Sequence, residues 1–251
     1  QDLNKIISND PALCSRILKV VNSSFYGLPG QIGSINRAIV LLGLNAVKNI
    51  AISASLAKLF RGGDLCPNFA ARDLWQHSIV TATAAKLVAD ELSMGIPDEA
   101  FLSGLIHDIG VMVEMQYSRE KLVATIGQLE VNADGAPTKD MLAVELAVFG
   151  ANHQQFGAAL CGKWKFPSVF AQVCGHHHKP TELPAGSRVL PCMVHIADRL
   201  AGAYPDGYRL DIMSMDPDPA AMDEIKLSPA KLPILQEKLV KTLSETASML
   251  A

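Results

Sequence analysis

Five of the seven histidines in this 251-residue chain, His77, His107, His153, His177 and His178, stand with Asp108 and Asp198 in stretches whose apolar residues recur at helical spacing. The stretches are DLWQHSIVTATAAKLVADEL, EAFLSGLIHDIGVMVEM, HQQFGAALCGKW, VFAQVCGHHH and RVLPCMVHIADRLAGA. Neutral imidazole and carboxylate form the mixed nitrogen and oxygen ligand set that Zn, Fe, Mn or Ni accepts. A bundle of such helices can bring all seven groups to one point. A lone histidine on an apolar helix is more often a hydrogen-bonded core residue than a ligand, and a dense hydrogen-bond network is the competing reading. The ordered series His, His-Asp, His, His-His, Asp on successive helices weighs against it.

Single positions sharpen the case. His107 and Asp108 are adjacent polar groups in the apolar run GLIHDIG, where a buried charge is costly unless it is paired or metal-bound. Gly104, three residues earlier, lets a neighbouring helix or an ion approach closely. Asp73 and His77 are four residues apart and share a helix face. Asp198, in HIADRLA, is again an acid where the pattern asks for core. His195 is expected to orient that carboxylate or simply to pack. His176 is a spare ligand or a surface residue.

The elements that must position these groups read as helices throughout. Asp10-Pro11 marks a helix start, the turn YGLPGQIG a break, and Ser34 a cap before INRAIVLLGL. Apolar stripes at Ile6, Ile7, Leu13, Ile17, Leu18 and Val21, and at Ile35, Ile39, Leu42, Ala46 and Ile50, keep the helical period. The turn formers of RGGDLCPNFAARD (61–73) mark a boundary between lobes. This predicts a helical lobe over 1–62, a His/Asp-bearing helical lobe over 63–204, and a tail over 205–251. The tail has a proline- and aspartate-rich surface excursion to about residue 233 and a closing helix with stripe residues Ile234, Leu235, Leu239, Leu243 and Met249.

Composition narrows the function classes. No run of about eighteen uncharged apolar residues occurs, which argues against a membrane span. Five cysteines without CxxC spacing argue against a disulfide framework and a thiolate zinc site, and point to a cytoplasmic protein. The net charge of −3 divides into +5 over residues 1–62 and −8 beyond. Because the basic residues are spaced out and lack interleaved aromatics, they read as solvated helix faces before they read as a nucleic-acid surface. The chain starts at Gln1, already inside a helical pattern, so a preceding natural segment is expected.

The segments DPALCSRILKVVNSSFYGLPGQIGSINRAIVLLGLNAVKNIA, LWQHS, FLSGLIHDIG, FGANHQQFGAALCGKWKFP, GHHHKP and HIADRLA together resemble the HDOD domain, the bacterial signalling branch of the HD superfamily, over about residues 3–203. The resemblance implies an all-α, two-lobed fold with an HD-like second lobe, and a role in signal output beside a signalling protein partner. Carried over by motif position, the superfamily's metal ligands are His77, His107, Asp108, His153, His177, His178 and Asp198, with Asp108 in the catalytic role. Asp73 lies where related dinuclear sites place a further acid. The implied cofactor is one or more divalent ions, Fe, Mn, Ni, Zn or Mg. No GYP follows the histidine pair, so the chain departs from the cyclic-dinucleotide phosphodiesterase branch.

Two functions follow from this pattern. The first is a regulatory module in which turnover is absent or incidental. The second is a metal-dependent phosphohydrolase acting on a nucleotide or other phosphate ester. The second also needs cations at the substrate, for which Lys163, Lys165, Lys179, Arg188 and Arg199 are the candidates.

Overall fold

In a computed structural model of the chain, which describes residues 3, 6, 7, 9–22, 28, 30–57, 59, 60, 64–132, 135–204 and 208–245, helices begin where capping residues stand. The Asp10 carboxylate accepts from the Leu13 N–H at 2.9 Å and Pro11 fills the first helical position, giving α1, Pro11–Val21. Ser34 caps α2, Ile35–Leu42, through the Arg37 N–H. After Gly43 the chain turns into α3, Leu44–Leu56. Ile7, Leu13, Ile17, Val21, Ile35, Ala38, Val47 and Ile50 bury together as one apolar core. Ile6 stays exposed. The proposed break at 26–33 falls partly outside the described residues, as do residues 61–63 of the proposed lobe boundary.

The boundary segment continues as a small antiparallel hairpin, β1 Asp64–Cys66 and β2 Phe69–Ala70, the only named strands among the described residues. Its turn holds Asn68 at φ 68°, a left-handed conformation that asparagine tolerates better than most residues. From there the fold is all-α. The 21-residue α4, Ala71–Glu91, is the central strut, packed most extensively on α5, Pro97–Ile106, and on α11, Val189–Gly202. Around these lie α6, Ile109–Tyr117; α7, Arg119–Gln128; α8, Met141–Phe149; α9, His153–Lys163; and α10, Ser168–His176. Helices α1–α3 meet this body through α3 on α5, where the buried Asn49 amide donates to the Asp98 carbonyl at 2.7 Å.

The run EAFLSGLIHDIGVMVEM, expected as one helix, is two. α5 ends at Ile106, His107 and Asp108 form the turn, and α6 restarts as the Val111 N–H bonds the Asp108 carbonyl. The reason is geometric. Adjacent side chains on a continuous α-helix point about 100° apart, so two neighbours can enter one site only if the helix breaks between them.

The tail also differs from expectation. Its excursion does not stay on the surface: Tyr208, Leu210 and Ile212 are buried, as are Ala221, Met222, Ile225 and Leu227 around α12, Pro219–Glu224. Burial of these apolar groups holds the segment against the body despite its prolines. The closing helix α13, Leu232–Glu245, buries Leu235, Leu239 and Leu243 at a spacing of four, leaving Ile234 half-exposed, while Met249 lies outside the described residues. Cys161, Cys174 and Cys192 are buried thiols, and all five cysteines are free. Among the described residues no helix is long and apolar enough to cross a membrane.

Two glycines set the approach of helices around His107 and Asp108. A Cβ on Gly104 would press on the Ala82 Cα and the Thr81 carbonyl at 2.8 Å, so this glycine admits α4. A Cβ on Gly110 would overlap the His153 carbonyl and the Gly157 nitrogen, so it admits the start of α9. Backbone cannot yield as a flexible side chain can. Gly110→Ala is therefore expected to destabilise the chain by about 3 kcal/mol, read as a fall in denaturation midpoint. Gly162→Ala, on the open face of α9 with nothing near its Cβ, should be neutral or stabilising by up to about 1 kcal/mol. Equal stability of the two variants would remove the close-approach role of Gly110.

Candidate metal centre

Helix ends and helix middles both feed the centre. His77 projects from the middle of α4 and Asp198 from α11. His107 and Asp108 occupy the α5–α6 turn, and His177 and His178 follow the last turn of α10. His153 is the first residue of α9, fixed there by a capping box: the Asn152 side chain accepts from the Gln155 N–H, and the Gln155 side chain accepts from the Asn152 N–H, each at 3.0 Å.

Asp108 is the hub. Its Oδ2 lies 3.3 Å from His107 Nε2 and 3.9 Å from His77 Nε2, while its Oδ1 lies 3.2 Å from His177 Nε2 and 3.7 Å from His153 Nε2. One carboxylate thus faces two imidazole pairs, one with each oxygen. On the first side, Asp198 Oδ1 approaches His77 Nε2 at 3.0 Å and His107 Nε2 at 3.7 Å. On the second side, His178 Nε2 lies 3.1 Å from His153 Nε2. All seven residues named from the sequence therefore meet in one cluster, and all but His178 are buried.

Backbone carbonyls aim the rings. His107 Nδ1 bonds the Gly104 carbonyl at 2.7 Å, and His177 Nδ1 lies 3.2 Å from the Cys174 carbonyl. Because a carbonyl only accepts, each Nδ1 carries a proton and donates it, leaving Nε2 to face the centre, where a cation would take its lone pair in place of any second proton. Glu145 performs this task for His153, its carboxylate 2.9 Å from Nδ1 and also accepting the His153 backbone N–H. His195 does not orient Asp198: its Nδ1 donates to the His177 carbonyl at 2.8 Å, and its Nε2 accepts the Asp218 N–H at 3.1 Å. The ring is committed to bracing the α10 terminus.

Both oxygens of Asp108, Oδ1 of Asp198, Nε2 of His107 and His177, Nδ1 of His77 and both oxygens of Asp211 are buried without a hydrogen bond. Orphaned groups of this kind carry a desolvation penalty of about 1–3 kcal/mol each, more when charged. Except for the His77 Nδ1, they are atoms a divalent cation accepts and they converge, so the residues fit a metal centre. Two sets each place ligand atoms within 4.8 Å of one another: His77, His107 and Asp108, and His153, His177, His178 and Asp211.

Electrostatics show imidazoles and carboxylates answering one another in this crowded centre: against burial, His107 and His177 hold Asp108, and His107, His77 and Arg199 hold Asp198, well below the usual carboxylate range. Burial opposes charge on His153, but the Glu145 carboxylate overrides it and carries the imidazole to about 10. Burial likewise opposes charge on His107, and Asp108 and Asp198 override it. Burial drives His177 and His178 below the usual imidazole value. Burial, with Asp108 and Asp198 nearby, lifts Asp211 to about 7. Burial and Glu145 lift the Glu114 carboxyl to about 9, so it stands neutral behind Glu145 at pH 7.

Other sequence candidates lie elsewhere or act differently. Asp73 is half-exposed and pairs with Arg72. Arg199 is at the centre, bonding Asp198 Oδ2 at 2.6 Å. Arg188 bonds Glu224 and the Leu183 carbonyl, Lys179 reaches toward Glu182, and Lys163 and Lys165 are exposed. His176 lines a separate shallow cavity with Asn152 and Glu182. Sequence reasoning missed Glu145 and Asp211. An acid inside the apolar run MLAVELAVF was the available signal for Glu145, whereas RLDIM offers none that separates Asp211 from an ordinary loop acid. Beside the centre lies a cavity of about 950 Å³ lined by Phe69, Asp73, Tyr204, Tyr208 and Arg209 among others. The Tyr208 ring stands 5.5 Å from the His77 ring, between cavity and cluster.

The HDOD domain family model matches residues 1–180. A crystal structure of an HDOD domain protein of unknown function from Geobacter sulfurreducens superposes with a TM-score of 0.76 at 23% identity, over 99% of this chain and 83% of that one. A Shewanella amazonensis protein provisionally called a phosphohydrolase gives 0.71 at 24% identity, over 100% and 87%. A Marinobacter aquaeolei protein provisionally assigned to signal transduction gives 0.78 at 22%, over 99% of this chain but 55% of that one. These likenesses show a shared fold. In sequence, an uncharacterized protein of Treponema pallidum is 24% identical over 201 residues, covering 78% of this chain. The chain spans 37% of that relative's length.

Two outcomes are expected from this geometry. Glu145→Gln, which keeps the shape but weakens the acceptor for His153 Nδ1–H, should lower affinity for Mn(II) or Zn(II) by about 10–100-fold in equilibrium titration while the fold persists by circular dichroism. Because ion uptake must displace protons from His153 and Asp211, affinity should fall as pH drops below about 10 and more steeply below about 7. Occupancy that is the same at about pH 8 and about pH 5 would rule out these imidazoles as ligands.

Proposed function

The chain belongs to the HDOD domain family, and from that footing we propose that it is a cytoplasmic regulatory module of bacterial signal transduction. In this reading its second lobe holds divalent ions, Fe, Mn, Ni, Zn or Mg, on His77, His107, Asp108, His153, His177, His178 and Asp198. The observation that carries the regulatory reading is closure of the centre. Six of the seven proposed ligands are buried, and Tyr208 fills the side toward the cavity. An ion in such a place organises the lobe and reports its own presence more readily than it meets a substrate. The Marinobacter neighbour's assignment to signal transduction supports the same reading.

A second reading has a specific observation in its favour. The 950 Å³ cavity borders the centre and carries Arg209, Asn68 and aromatic surface suited to a phosphate ester or nucleotide. A bound divalent ion supplies Lewis acidity and an activated water for such chemistry. Asp108 then acts as the catalytic carboxylate that holds the metal. Asp198 keeps a negative oxygen toward His77 and His107 while Arg199 neutralises its other oxygen. The Shewanella neighbour's provisional name supports this alternative.

The lobes divide the work in this proposal. Residues 1–62 serve recognition of a protein partner, residues 63–204 carry the centre, and residues 205–251 pack on it. Exposed Val40, Leu41 and Leu44 between Arg37 and Lys48 give the first lobe an apolar face with basic flanks, which fits a protein partner better than a nucleic acid.

The test is metal analysis of the purified chain, followed by phosphatase and phosphodiesterase assays with Mn, Mg, Fe or Ni. The regulatory reading expects bound ion and no turnover, and turnover lost in His107→Ala/Asp108→Ala transfers the conclusion to the phosphohydrolase. That double variant is expected to lose metal and stay folded. Unfolding of the variant when the wild type is also metal-free would identify the cluster as a core hydrogen-bond network instead.

A further inference from the structure

Asp211 belongs to none of the motifs that point to the centre, and it lies beyond the residues matched by the family model. Its side chain is nevertheless fully buried, and both oxygens lack a hydrogen bond. One oxygen lies 3.5 Å from His178 Nε2, and the carboxylate falls within ligand-sharing distance of His153, His177 and His178. His178 and His153 present Nε2 to Nε2 at 3.1 Å, an arrangement in which only one can hold a proton between them. Three imidazoles and a carboxylate are a full set for a four-coordinate divalent ion. Asp108 Oδ1 borders the same space from the other side.

The chain around Asp211 links this corner to the cavity. Tyr208, Arg209 and Leu210 line the 950 Å³ space, and Asp211 is the next residue. Ile212 on its far side is fully buried and packs over Gly202 at the end of α11. A carboxylate buried in low dielectric beside imidazoles without a hydrogen bond is poorly solvated, and a cation shared with those imidazoles offsets that cost. We infer that Asp211 completes a second cation position with His153, His177 and His178, and that filling this position fixes the 208–212 segment as the wall of the cavity. Ion occupancy and the shape of the adjoining pocket are then one equilibrium. This rests on the metal-centre reading above and adds to it Asp211 as a ligand and a consequence for the pocket.

Mn(II) and Zn(II) are the probes, added to the chelator-stripped full chain. The wild type is expected to take up about two ions per chain, and amide exchange at 208–212 should slow as the weaker ion binds. Asp211→Asn should keep one ion, lose affinity for the other by at least about tenfold, and show no slowing at 208–212. Asp211→Glu, which retains a carboxylate, should bind the second ion more tightly than Asp211→Asn, and it serves as the comparison if the asparagine variant folds poorly. Asp211→Asn with wild-type stoichiometry and affinity overturns the inference while leaving the metal centre intact. So does exchange at 208–212 that ignores the second ion. A wild type that binds no ion at all overturns the metal-centre reading itself.

Discussion

A carboxylate taken out of water without partners costs several kcal/mol, and in this chain that burden falls on Asp108. Its position is set by two backbone approaches: α4 against Gly104 and the start of α9 against Gly110. Those approaches deliver His77 and His153 to opposite oxygens of the same group. The break between α5 and α6 turns His107 inward beside it, and the end of α10 brings His177. Against burial, His107 and His177, beside its two oxygens, answer the Asp108 charge and hold its carboxyl well below the usual range.

The layer behind the ligands follows the same logic. Rings that must present a lone pair inward have to discharge the opposite proton somewhere, and here they do so into carbonyls at helix ends or into Glu145. Glu145 needs no lysine to balance it, since His153 lies in front and neutral Glu114 behind. His195 extends the arrangement outward by tying the His177 carbonyl to the N-terminus of α12. The tail is thereby tied to the body at Asp218 by a histidine whose two ring nitrogens are both taken up outside the His/Asp cluster.

How much of this could be read from the sequence depended on whether chemistry and periodicity told the same story. Polar groups in apolar helices stand out, so His77, His107, Asp108 and Asp198 were visible as ligand types. The capping signals at Asp10 and Ser34 were equally visible because capping is local. The helix break at His107 was hard to place, since the apolar pattern runs through it and Gly110, a signal for a stop or a tight contact, stands two residues past the turn and proves to be the contact. Asp211 was hidden for the opposite reason: in a stretch full of aspartates and prolines, an acid that folds inward looks like one that stays in water. Ile234 misled because a stripe of apolar residues does not say which of two neighbours faces the body.

The His176–His178 run carries a consequence for how the chain is made. Those imidazoles are adjacent in the unfolded polypeptide, whereas His77, His107, His153 and Asp198 reach them only after distant helices have docked. A divalent ion present during synthesis therefore meets a ready local chelate before any native pocket exists. Affinity for the unfolded chain subtracts from the stabilisation that native binding confers. In the metal-centre reading, a chain that captures an ion early must keep or exchange it while α4 and α11 close around it, so metal supply during folding bears on the yield of folded protein.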